Sequence, residues 1–161
     1  MKASSLNELK RELENLPPEE LLSYMVRLAK YKKENKELLS YLLFYGNNEN
    51  EFISKIKDEI NAQFSEINKS NIYYAKKSIR KILRMTRKYI KFSGSPQTEV
   101  ELLMYFLLKF KSSGVPVNKS LTLTNLFRNQ RGNLNKALSR LHEDLQYDYM
   151  VDINALDGKW Q

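Results

Sequence analysis

Apolar residues recur at the 3.6-residue period of a helix from one end of this chain to the other, and little interrupts them. Five Gly and four Pro in 161 residues are too few for the tight turns of an all-β chain. The pattern predicts an all-α protein, and its breaks divide the chain into about seven helices. A first helix over Leu6 to Leu16 ends before Pro17 and Pro18, which stop it and start the next. The second, from Glu19 to Tyr31, is expected to bury Leu21, Leu22, Met25, Val26, Leu28 and Ala29. Continued unbroken, it would carry Lys32, Lys33 and Lys36 into the same apolar arc, so a break is expected over residues 32–36 and a third helix up to Tyr45.

"GNNEN" at 46–50 reads as a helix stop followed by an Asn cap. Over Glu51 to Asn68, Phe52, Ile53, Ile56, Ile60, Phe64 and Ile67 form one stripe, the mark of an outer helix touching the core on one side. "NKSN" at 68–71 caps the next helix, which stops at "SGSP", 93–96. From Gln97 to Lys111 apolar residues circle the helix, which places it at the centre. "SSGVPVNKS" at 112–120 is the clearest loop. A last helix is expected over Asn133 to Tyr147, with Leu134, Ala137, Leu138, Leu141 and Leu145 along one stripe. "YDYMVDI" at 147–153 alternates polar and apolar, which fits a short strand, and the tail 151–161 reads as irregular.

Two architectures suit such a series: stacked helical hairpins of the HEAT type, or a compact orthogonal α-bundle. "LSYMV" at 22, "LSYLL" at 39 and "LMYFL" at 103 resemble one another and are the only hint of a repeat. No Pro/Gly-rich linker interrupts the chain, so residues 1–161 read as a single helical domain.

Charge is the feature most telling of function. Residues 73–92, "YYAKKSIRKILRMTRKYIKF", hold eight Lys and Arg and no acid. Of 27 basic residues these eight are the excess; the other 19 match the 19 Asp and Glu. At about 100° per residue, Lys76, Lys77, Arg80, Lys81, Arg84, Arg87, Lys88 and Lys91 fall within about 140° of one helix face, with Tyr73 inside that arc. Tyr74, Ala75, Ile79, Ile82, Leu83, Met85, Tyr89 and Ile90 fill the opposite arc. The like-charged i,i+4 neighbours Lys76/Arg80, Arg80/Arg84 and Arg84/Lys88 repel by a few tenths of a kcal/mol each. Something outside the helix must relieve them. Either an external polyanion does so, nucleic acid first or else an acidic protein surface, or Glu51, Asp58, Glu59 and Glu66 of the preceding helix do, or the face is simply solvated. In the last two cases the chain reads instead as a helical-repeat protein-interaction scaffold. Tyr73 is placed to stack on an unpaired base.

A secondary basic patch, "NLFRNQRGNLNKALSR" at 125–140, supplies Arg128, Arg131, Lys136 and Arg140 without an acid. Two short helices about Gly132 would superficially resemble a helix-turn-helix, but a polar inter-helix loop is the reading preferred.

Catalytic chemistry finds little material. The sole histidine, His142, is expected at the edge of a buried helix face as a structural residue. The carboxylate pairs Glu8/Glu12 and Asp148/Asp152 lack an apolar setting that would raise a pKa for acid catalysis. No Gly-rich phosphate loop is present, and without Cys there are no disulfides, thiolate sites or thiol nucleophiles. No catalytic residue, cofactor or metal is therefore expected. The longest apolar run, "LLMYFLL" at 102–108, is too short for a bilayer, and the first residues lack a secretory apolar core. A cytoplasmic protein without membrane attachment is expected.

Residues 9–43, "LKRELENLPPEELLSYMVRLAKYKKENKELLSYLL", show a short Leu/Lys/Glu helix, a helix start with "EEL" and a Lys-rich break. In this stretch the chain resembles the N-terminal part of a family of small bacterial helical proteins without an agreed activity. The resemblance implies a helical-repeat-like fold and brings no functional residues; the basic helix lies outside it.

Overall fold

The computed structural model describes residues 2–158. These form nine α-helices and one 3-10 turn, without a strand among them. Backbone contacts divide the chain into two compact units, one ending at Phe44 and one beginning at Tyr45, where the sequence reads as one domain.

The first unit holds α1 (Leu6–Glu14), α2 (Pro18–Tyr31) and α3 (Lys33–Phe44). Ser5 caps α1 in a capping box: its Oγ accepts from the Glu8 amide, while its own amide donates to Glu8 Oε2 at 2.7 Å. These bonds hold the Glu8 carboxyl below its ordinary pKa, the Ser5 amide contributing most. Lys32 alone breaks α2 from α3, with extended φ −141° and ψ 144°. Asn35 ties the two by donating to the Leu28 carbonyl at 2.9 Å. Helices α2 and α3 pack together, yet among the described residues of the unit the only buried side chain is Tyr41. The expected burial of Leu22, Met25, Val26 and Leu28 is not found: all four are exposed, since α3 meets α2 across an open groove rather than closing over that arc.

The second unit holds α4 (Glu49–Ser65), α5 (Ile72–Ser93), α6 (Pro96–Ser112), the 3-10 turn Val117–Lys119, α7 (Leu121–Leu138), α8 (Glu143–Asp148) and α9 (Met150–Asp157). Helix α6 is central as expected, packing against α4, α5, α7 and α9 and burying Leu102, Leu103, Phe106, Leu107 and Phe110. The stripe on α4 buries Phe52, Ile53, Ile56, Ile60 and Phe64 against it.

Three expectations for the C-terminal third are corrected. Helix α7 runs unbroken through Gly132, so residues 125–140 contain neither an inter-helix loop nor a helix-turn-helix. It ends at Leu138, and residues 143–148 form a separate helix rather than its continuation. The strand over 147–153 and the irregular tail are replaced by the end of α8 and by α9; residues 159–161 of that tail lie outside the described residues. Tertiary contacts decide the tail. Lys111 Nζ donates to the carbonyls of Ala155, Leu156 and Gly158 at 2.6–3.0 Å, satisfying the last turn of α9. Arg131 grips Asp157 with Nε at 3.0 Å and Nη2 at 2.8 Å.

Candidate functional site

Helix α5 is defined at both ends by its own sequence. Asn71 Oδ1 accepts from the amides of Tyr73 (2.9 Å) and Tyr74 (3.4 Å). At the other end Gly94 takes the left-handed conformation, φ 67°, and its amide returns to Ile90. The apolar arc buries Ala75, Ile79, Ile82 and Leu83, together with Thr86, whose hydroxyl donates to the Ile82 carbonyl. That burial fixes the rotation of the helix and sends the basic arc outward. Lys77, Arg80, Lys81, Arg84, Arg87 and Lys91 are exposed; Lys76 and Lys88 are half-buried.

The expected acidic neighbours spend themselves elsewhere. Glu51 pairs with Lys55 on its own helix at 3.0 Å, and Glu59 accepts from Gln63 at 3.3 Å. Asp58 and Glu66 are exposed and form no ion pair with α5. Among the described residues, no carboxylate forms an ion pair with Lys76, Lys77, Arg80, Lys81, Arg84, Arg87 or Lys91. Lys88 lies over the rings of Tyr89 (4.6 Å) and Phe92 (6.0 Å). The Arg87 guanidinium donates to Gln130 Oε1 of α7 at 2.8 Å, a neutral acceptor that leaves the charge uncancelled.

At the N-terminal half of the strip a groove of about 420 Å³ opens between Tyr73, Lys76, Lys77, Arg80 and Arg84, with Leu83 in its wall. Tyr73 is 66% exposed, as its place in the basic arc implies. Tyr74, assigned to the apolar arc, is also 54% exposed and meets Tyr73 edge-on at 5.5 Å between ring centroids. The sequence thus misses one aromatic of the site. It also misses Gln130: a buried amide on a polar stretch looks like a loop residue until its partners, Arg87 and Asn133, are seen. The only available signal was its place in step with Leu123, Leu134 and Leu138 along one helix.

The secondary patch does not assemble. Arg131 is held by Asp157, and Arg140 pairs with Glu99 of α6. Arg128 and Lys136 remain exposed at separate places on α7. The hydrogen bond from Arg131 is the main cause that holds the Asp157 carboxyl below its usual pKa.

His142 is not on a buried helix edge; it is exposed and caps α8, its Nδ1 accepting from the Asp144 amide at 3.4 Å. Glu12 and Asp148, from the two carboxylate pairs, are likewise exposed. Among the described residues no three His, Cys, Asp or Glu side chains gather where a metal could sit. A different polar cluster does form inside the second unit. Glu101 of α6 accepts from Lys57 of α4 and, at 2.7 Å, from the Tyr149 hydroxyl. Burial alone would raise the Glu101 carboxyl, but these two donors and the Lys57 charge outweigh it and leave it below the ordinary range. Burial, then the carboxylate, pushes the Tyr149 phenol well up. The cluster ties α4 and α6 to the junction between α8 and α9.

Neither a protein-family model, nor a curated protein, nor a solved structure matches the chain. No described helix is long and apolar enough to cross a membrane. Function has to be argued from the site.

Proposed function

We propose that this protein is a non-enzymatic binding module that lays α5 along a nucleic acid strand. One observation carries this reading: among the described residues, seven cations of a single helix face, Lys88 aside, form no ion pair with a carboxylate. Phosphates would relieve their mutual repulsion and release counterions in exchange. The span from Lys76 to Lys91 is about 24 Å at 1.5 Å per residue, long enough for several consecutive phosphates. Arginine adds bidentate phosphate bonds and lysine mobile charge. Exposed Tyr73, at the rim of the groove, suits stacking on an unpaired base, which favours single strands over duplex. We read the unit that carries α5 as a compact bundle, since four helices pack on α6.

Fluorescence anisotropy of a labelled mixed-sequence oligonucleotide, titrated at several salt concentrations, tests the reading. The expected log–log slope is about −3 to −5, at roughly 0.7 per phosphate for about five to seven contacts. Combined Lys77→Glu, Arg80→Glu and Arg84→Glu substitution should abolish binding while circular dichroism stays unchanged, since all three side chains are exposed. Binding that survives in this variant removes α5 as the interface. Failure of any oligonucleotide to bind the native protein, with retention on an acidic protein, replaces the partner class.

A further inference from the structure

The basic helix leaves the N-terminal unit unexplained. Leu6, Leu22, Leu28, Leu42, Leu43 and Phe44 are each more than half exposed, at 55% to 84%. A unit as small as Met1–Phe44 can enclose little core of its own, and without cysteine it has no disulfide to compensate. Helices α2 and α3 leave between them an apolar groove of about 230 Å³, walled by Met25, Leu28, Ala29, Leu38, Leu39 and Leu42. Helix α1 carries an apolar stripe that, with Leu16, Pro18 and Leu21, lines an open hollow. Its Leu6, Leu9 and Leu13 form one exposed stripe at helical spacing, the form that a groove between two helices accepts.

Charge selects the occupant. Residues 2–20 carry five Glu against three Lys and Arg; residues 21–44 carry five Lys and Arg against two Glu. A surface acidic at one end and basic at the other complements itself about a two-fold axis. A foreign partner of one sign would match only half of it. We propose that two copies of this chain associate through their N-terminal units. The leucine stripe of α1 from one copy occupies the α2–α3 groove of the other, with Glu12, Glu19 and Glu20 set against Lys32, Lys33 and Lys36.

Sedimentation equilibrium of the full chain over a wide concentration range tests this without reference to nucleic acid. The expected mass at high concentration is twice the 19.0 kDa of the chain. Leu28→Glu with Leu42→Glu, at exposed positions that spare the fold, should raise the dissociation constant by roughly a hundredfold. Glu12→Lys, Glu19→Lys and Glu20→Lys should raise it by roughly tenfold. Adding Lys32→Glu, Lys33→Glu and Lys36→Glu to that variant should restore the native value, a recovery only a second copy would give. A monomer at every concentration overturns the proposal, as does association unaffected by the two leucine changes. A compensated variant that stays weak overturns it as well.

Discussion

"LSYMV" begins at Leu22 and "LMYFL" at Leu103, two nearly alike pieces of helix, yet Leu22 is 65% exposed and Leu103 only 2%. Met25 is open where Phe106, its counterpart, is fully enclosed. The difference lies in the neighbours, not in the segments. Around Leu103 and Phe106 stand α4, α5, α7 and α9; around Leu22 the first unit offers only α1 and α3. An apolar arc is a demand for cover, and the three helices of the first unit leave that demand unmet among themselves.

The contrast can be broken most forcefully inside α6. Phe106→Ala should cost about 3–5 kcal/mol in urea unfolding, the usual loss for an enclosed aromatic; a loss below about 1 kcal/mol would mean the second unit is no better packed than the first. Next comes Glu101→Gln. A carboxyl whose pKa is lowered on folding contributes stability above its unfolded value, about 4.3, and loses it as pH falls through the folded one. The variant should therefore be less stable by about 1.5–3 kcal/mol at neutral pH, the range for hydrogen bonds to charged groups. The gap should narrow in melting curves as pH falls below the unfolded value, and close once it has passed the lowered folded one.

Asn71→Ala should cost about 1 kcal/mol by uncapping α5, and hydrogen exchange should show the first turn of the basic helix opening sooner. The smallest effect belongs to the first unit. Leu22→Ala, measured at low protein concentration, should change stability by no more than about 0.5 kcal/mol. Repeating the measurement at high concentration sharpens the comparison, because any cover supplied by a second copy then appears as added loss.

Element by element, legibility followed how local the deciding forces were. The starts of α4, α5 and α6 and the stop of α5 could be read to within two residues because Asn48, Asn71, Gly94, Ser95 and Pro96 act within a few residues of themselves. Helix α4, by contrast, ends at Ser65, three residues before the expected Asn68. The outward face of the basic strip was readable for the same reason: rotation follows from Ala75, Ile79 and Ile82 on the same helix. Gly132 misled because a helix tolerates one glycine at about 1 kcal/mol when its flanks are packed, as Leu134 and Leu138 are. The tail misled because its helix depends on Lys111 and Arg131, more than 20 residues upstream. No spacing rule links them.

Within the site, the cations and Tyr73 were legible, whereas the fate of the carboxylates was not. Whether Glu51, Asp58 or Glu66 reaches across to α5 depends on how two helices are turned relative to each other. In the molecule Glu51 turns to Lys55 instead.

The grip of Lys111 on α9 has a chemical corollary. Three carbonyl oxygens share one ammonium, so acylating that amine would remove its charge and leave a single N–H for all three. The last helical turn would then be free to unwind, while the ridge on α5 kept every one of its positive charges.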